Sequence, residues 1–176
     1  ESAVSGLSEA RLEQQISEVI DSTNNALASS KANDPEVDTF EAIKQAARGL
    51  TGEAGDKCLY ILDSGLSTEG ELNVLSENLH RLIDVQPIVD KLQKDHALPD
   101  LTGVQVVWIG LGDAADKQED LTSRNKNTLK ELWEAVLTTS GAEVTFKNLP
   151  LTEEGSTDRE LPEVTPIPIV HDSNDF

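Results

Sequence analysis

Three short runs of β-forming residues, set between segments with helical periodicity, most constrain the fold of this chain. They cover residues 58–62, 104–109 and 144–149. Runs of this length that are rich in β-branched, aromatic and other apolar side chains predict strands. The first run is apolar at every position, which predicts a strand buried on both faces and makes Cys58 a buried structural thiol.

Apolar residues at helical spacing predict the segments that join these strands. Helices are expected over residues 7–29, 39–50, 87–98 and 122–140. Residues 69–86 fit either a helix or an irregular excursion with short strands. The resulting alternation of helix and strand predicts parallel strands joined by right-handed crossovers. The expected fold is therefore α/β, with three layers: an open, mostly parallel sheet and helices on both faces.

The chain length is that of one domain with a single core. We expect the α/β domain to cover residues 1–151, and residues 152–176 to form an acidic, proline-rich linker. The alternative for residues 164–170 is an edge strand, where proline is tolerated. Because the sequence begins at Glu1 and holds no methionine, we expect it to be a piece of a longer protein.

The net charge of the chain argues against some classes of partner. Lys and Arg total 14 against 33 Asp and Glu, a formal net charge of -19, which repels nucleic acids and anionic membrane surfaces. Divalent cations or a basic protein surface suit this field, and the alternative is that the acidic excess only keeps the domain soluble. No apolar run is long enough to predict a membrane span, and one cysteine permits no disulfide within the chain.

The best candidate site follows the first strand, at Asp63, Ser64 and Ser67. Ligands bind at the carboxyl ends of the strands in open α/β sheets, and carboxylate and hydroxyl oxygens are ligands for Mg²⁺ or Ca²⁺. These residues are therefore a candidate metal site. The alternative is that Asp63 and Ser67 cap the turn and the following segment through hydrogen bonds to the backbone.

Other chemistries find less support in the residues. Residues 110–115 match a G-x-G-x-x-A dinucleotide fingerprint, but the next helix is expected several residues later, so its N-terminus would not face a pyrophosphate. The three histidines lack zinc-ligand spacing. No nucleophile elbow is present, and Cys58 has no histidine near it in sequence. We therefore predict no catalytic residue, and no cofactor other than Mg²⁺ or Ca²⁺.

The order of elements resembles the second half of a von Willebrand factor A domain. The segments DTFEAIKQAARGL (38–50), CLYILDSG (58–65) and GVQVVWIGLGD (103–113) are similar to that family's helix, "TDG" strand and "GVG" strand. The stretches LDSGLSTEGEL, LPDLTGVQVVWIGLGD and LKELWEAV resemble envelope proteins of Gram-positive bacteria, in which such a domain precedes a peptidoglycan-binding domain of the outer-membrane-protein-A (OmpA) type. The resemblance implies an extracytoplasmic location, at the cell surface or anchored to the membrane.

The family's metal-ion-dependent adhesion site needs a D-x-S-x-S strand, a Thr before the helix and the Asp that ends the "TDG" strand. Asp63 matches that Asp, Val37 stands where the Thr is expected, and Thr39 is out of register. No D-x-S-x-S strand precedes residue 36. A sheet without its upstream strands would expose an apolar edge, which favours self-association.

These observations predict a non-enzymatic protein-binding or scaffolding module, with a protein as its partner. Recognition would use the loops at the carboxyl end of the sheet. The first alternative is a small α/β enzyme that uses Asp63 with a divalent metal, and the second is a structural spacer for a neighbouring domain. The residues expected in the binding loops are Asp63, Gly65, Thr68, Gly112 and Asp113.

Overall fold

The computed structural model describes residues 2–29, 34–114, 118–147 and 165–169. The chain divides into two compact units, Glu1–Asn33 and Asp34–Phe176. The predicted domain boundary at residue 151 lies outside the described residues.

The first unit contains one helix, α1 (Ser2–Ser29). The prediction of a helix over residues 7–29 is confirmed, and the helix begins one turn or more earlier. Two of its apolar side chains, Ile16 and Ile20, are about half exposed. None of the helices in the described ranges has the length and apolar character that crossing a bilayer requires.

The second unit is an α/β domain built on a parallel sheet of three strands in the order β1-β2-β3. The α/β class and the parallel strands are confirmed. The stretch over residues 69–86 is mostly irregular, as the second alternative predicts, but it contains no strand. The elements are α2 (Thr39–Leu50), β1 (Lys57–Leu62), a short 3₁₀ helix (Leu79–Arg81), α3 (Gln86–Lys94), β2 (Val104–Ile109), α4 (Ser123–Thr139) and β3 (Glu143–Lys147).

One face of this sheet forms the core. Alternate residues of β2 are buried, and Trp108 at the end of that face is fully buried. The parallel register sets Ile61 of β1 beside Trp108 and Phe146 of β3 on its other side. The buried side chains of α2, α3 and α4 join the same core cluster, so these three helices all pack on this face.

The other face of β1 is exposed. Tyr60 and Leu62 are 62% and 65% exposed, and Cys58 is exposed as well. The prediction that β1 is buried on both faces, with a buried thiol, is therefore wrong. Successive side chains of a strand point to opposite faces, and α2–α4 cover only one of them. Helices on both faces, the third layer of the predicted fold, are not seen among the described residues of this unit.

Part of the predicted linker packs on the domain. Residues 165–169 form no helix or strand, so the edge-strand alternative fails over those residues, while positions 164 and 170 lie outside the described ranges. Ile167 is only 4% exposed and belongs to the core cluster. A buried apolar side chain in a proline-rich segment offsets the entropy lost when the segment is held in place.

Candidate functional site

Asp63 is the first residue after β1, and its backbone is fixed to β2. Its N–H donates to the carbonyl oxygen of Ile109 at 3.3 Å. Its own carbonyl oxygen accepts the indole N–H of Trp108 at 2.7 Å. The buried indole therefore holds the end of β1 in place, a role beyond the core packing that an apolar pattern predicts for Trp108.

The Asp63 carboxylate joins the start of α2 to the loop after β1. Its Oδ1 accepts the hydroxyl of Thr39 at 3.0 Å and the N–H of Gly65 at 2.7 Å. In the alignment with the family motif, Thr39 does not fall at the position of the expected Thr. In the structure, however, its hydroxyl contacts the Asp63 carboxylate. The short connection between α2 and β1 carries the signal that would have found it: a helix that turns directly into a strand runs back along it, so the start of α2 lies beside the end of β1.

Ser67 is fully buried and serves the same junction. Its Oγ accepts the N–H of Thr39 at 3.2 Å and donates to the carbonyl oxygen of Val37 at 3.1 Å. Thr68 adds a reciprocal pair, because its N–H donates to Val37 O at 2.9 Å while its Oγ1 accepts the N–H of Val37 at 3.1 Å. The loop after β1 is thereby tied to the segment that enters α2.

The two predicted binding loops meet at the carboxyl end of the sheet. The N–H of Gly112 donates to the carbonyl oxygen of Ser64 at 2.8 Å, and the Oγ of Ser64 accepts the N–H of Leu66 at 3.3 Å. The N–H of Asp113 donates to Gly110 O at 3.0 Å and closes the second loop. These contacts hold the two loops together, and their use in binding stays a prediction.

Gly65 is enclosed by aromatic and aliphatic side chains. Its carbonyl oxygen accepts the indole N–H of Trp133 at 2.9 Å, and the ring centroids of Trp133 and Trp108 are 4.9 Å apart. A Cβ on Gly65 would lie 2.5 Å from Leu111 Cδ1 and 2.8 Å from Trp133 Nε1. Gly65 therefore serves to bring the loop backbone against the aromatic pair.

The hydrogen bonds around Asp63, Ser64 and Ser67 are those of the turn-capping alternative. Within the described part of the chain, no group of three or more His, Cys, Asp or Glu residues is placed to hold a metal ion. The Asp63 carboxylate already accepts two hydrogen bonds on one oxygen. A metal at this position stays a prediction, and Asp63 is the residue that would carry it.

The segment 165–169 reaches both sides of this end of the sheet. The side-chain amide of Gln118, in the loop after β2, accepts the N–H of Ile167 at 2.7 Å and donates to its carbonyl oxygen at 3.1 Å. The hydroxyl of Thr165 donates to Glu36 Oε1 at 2.7 Å, just before α2. Hydrogen bonds from Thr165 and then Thr68 hold the pKa of Glu36 below its ordinary value.

Comparisons of the chain with protein-family models, with curated proteins and with solved structures each found no match. The resemblance to von Willebrand factor A domains therefore rests on the sequence segments between residues 38 and 113 and on LKELWEAV. The geometry adds a cluster of fixed loops whose donors and acceptors are backbone groups, hydroxyls and amides.

Proposed function

We propose that this chain is a non-enzymatic protein-binding or scaffolding module of von Willebrand factor A type, acting at the bacterial cell surface. Its partner would be recognised by the loops of residues 63–68 and 110–113. The observation that carries this proposal is that the chain's own segment 165–169, which is neither helix nor strand, is already held beside these loops.

Recognition of that segment combines a backbone contact and a side-chain contact. The amide of Gln118 pairs with both backbone groups of Ile167, as a neighbouring strand would. The Ile167 side chain enters the core cluster, and burying an aliphatic side chain of this size contributes about 1.5–3 kcal/mol. Backbone pairing that supplies affinity and a side-chain pocket that supplies selectivity are the two parts of strand-type peptide recognition.

The fixed loops favour binding over turnover. The hydrogen bonds to the Asp63 carboxylate come from the Thr39 hydroxyl and the Gly65 N–H, and they fix the loop to the start of α2. The envelope location is supported by the resemblance of LDSGLSTEGEL and LPDLTGVQVVWIGLGD to surface proteins. Loss of the protein from intact cells on mild protease treatment would test that location.

A peptide-binding experiment tests the site. Ile167→Asp in the full chain removes the apolar anchor and frees the surface. A fluorescein-labelled peptide of residues 161–173 is then titrated, and its anisotropy is measured. We expect binding to the Ile167→Asp chain and little binding to the unmodified chain, whose site is occupied. The same peptide with Asp in place of Ile167 is the matched control and should not bind.

A second variant assigns the contact. Gln118→Ala, added to Ile167→Asp, removes the amide that pairs with the peptide backbone and should weaken binding about tenfold, as expected for one or two lost hydrogen bonds. Failure of the folded Ile167→Asp chain to bind the peptide would overturn the proposed site. Turnover of generic phosphoester or ester substrates that disappears in Asp63→Ala would favour the enzymatic alternative.

A further inference from the structure

A groove separates α2 from β1 in the second unit, on the side of β1 away from β2. Its volume is about 290 Å³, and it is lined by Ala42, Ile43 and Ala46 of α2 and by Tyr60, Ile61 and Leu62 of β1, among others. The small side chains on the helix leave the space open. We refer to it as the α2–β1 groove.

The floor of this groove is an unpaired strand edge. Among the described residues β1 pairs only with β2, so its other side presents free backbone N–H and C=O groups. An exposed apolar edge is a template for another strand. The backbone groups of such an edge can be satisfied by an extended chain, but not by a helix, whose own backbone bonds are internal.

The acids at both ends of β1 define the charge of the occupant. Asp63 lines the carboxyl end of the groove, and Glu36 and Asp38 flank Val37 of the same lining. At the other end Glu53 and Asp56 precede the strand, and Lys57 begins it. The whole chain carries a net charge of -19. Acids outnumber bases at each end of the apolar centre, which favours a chain with Lys or Arg at its ends.

We propose that the α2–β1 groove binds an extended segment of a partner protein, which adds to β1 as a fourth strand. Successive side chains of this segment point alternately toward α2, at Ala42 and Ala46, and toward the open face of the sheet, beside Tyr60 and Leu62. Both surroundings are apolar, so apolar side chains are favoured on both faces of the bound segment. Basic residues flank this apolar centre. The groove shares Val37, Thr39 and Asp63 with the loop site. Its lining does not include Gln118 or Glu36, the residues that hold residues 165–169, so it adds a second interaction to the proposed function.

A second copy of the chain fits this groove less well. Two-fold pairing through β1 would bring another α2 to the same space, and both copies carry the same large negative charge. A basic extended segment meets neither obstacle. The partner is therefore defined by its chemistry: strand-forming, apolar at the centre and basic at the ends.

The test pans a random twelve-residue peptide library, displayed on phage, against the immobilised full chain. We expect enriched peptides with a β-forming apolar centre and flanking Lys or Arg. Ala46→Leu fills the groove and should weaken their binding at least tenfold, whereas Gln45→Leu places the same side chain on an exposed position of α2 outside the groove lining and should leave it unchanged.

Backbone methylation provides a readout in the unmodified protein. Methylating alternate peptide nitrogens on the edge that pairs with β1 should abolish binding, and methylating the opposite edge should not, because only one edge of a strand faces its neighbour. Acidic or unstructured enriched peptides, or equal binding to Ala46→Leu, would overturn the proposal. A concentration-dependent dimer that Ala46→Leu dissociates would replace the partner with a second copy.

Discussion

Replacing Gly65 by alanine tests how closely the loop after β1 lies against the aromatic pair. Gly65 has a φ of 73°, and an added Cβ would lie 2.5 Å from Leu111 Cδ1 and 2.8 Å from Trp133 Nε1. Gly103 has nearly the same φ, 74°, but nothing lies within 4 Å of its added Cβ. Both substitutions force an L-residue into the left-handed region, at a cost of about 1–2 kcal/mol, but only Gly65→Ala also overpacks the core, at about 1–3 kcal/mol more.

Urea unfolding, followed by the fluorescence of the two buried tryptophans, measures this difference. We expect Gly103→Ala to lose about 1–2 kcal/mol of unfolding free energy and Gly65→Ala about 2–5 kcal/mol. With a slope of about 2 kcal/mol/M, the two midpoints would differ by roughly 0.5–1.5 M. Equal losses in the two variants would refute the close packing of Gly65 and, with it, the fixed position of the loop.

Three further predictions concern the same end of the sheet. Ser67→Ala leaves the buried N–H of Thr39 without its acceptor, so the free energy of unfolding should fall by about 1–3 kcal/mol. Thermal melting would show this loss, and an unchanged melting temperature would contradict the contact. The pKa of Glu36 is lowered in the folded chain, so its contribution to stability is present above its ordinary pKa of 4.5 and is lost as the pH falls below it; Glu36→Gln should flatten this dependence in urea unfolding, and an equally steep profile would count against the Thr165 contact. Millimolar Mg²⁺ or Ca²⁺ should leave the melting temperature unchanged, because one carboxylate is a weak site, and a rise that Asp63→Asn abolishes would restore the metal hypothesis.

The strands and most helices of this domain can be predicted from local sequence, because periodicity and turn residues are local signals. The exposure of one face of β1 cannot be predicted in this way. A run such as CLYIL is equally compatible with one covered face or two, and what covers a strand depends on distant elements. In the structure α2, α3 and α4 share one core face, which leaves Cys58, Tyr60 and Leu62 exposed.

The position of the candidate site follows from the sheet topology, whereas its hydrogen bonds do not. Parallel strands bring their carboxyl ends to one edge, so the meeting of residues 63–68 with residues 110–113 is predictable. The indoles of Trp108 and Trp133 donate to the backbone carbonyl oxygens of Asp63 and Gly65, and the hydroxyl of Thr39 donates to the Asp63 carboxylate. An indole in an apolar pattern predicts burial, but the identity of its hydrogen-bond acceptor depends on tertiary packing.

The docked segment 165–169 sets a condition on any partner of the loops. If a partner uses the surface around Gln118, it competes with Ile167, and its apparent affinity falls by the fraction of chains in which that surface is free. Ile167→Asp should then raise the apparent affinity for such a partner, whereas binding in the α2–β1 groove should not change. If Ile167→Asp changes the affinity at neither surface, the segment 165–169 does not block the loops. Partner binding at the loops and docking of the segment would then be independent of each other.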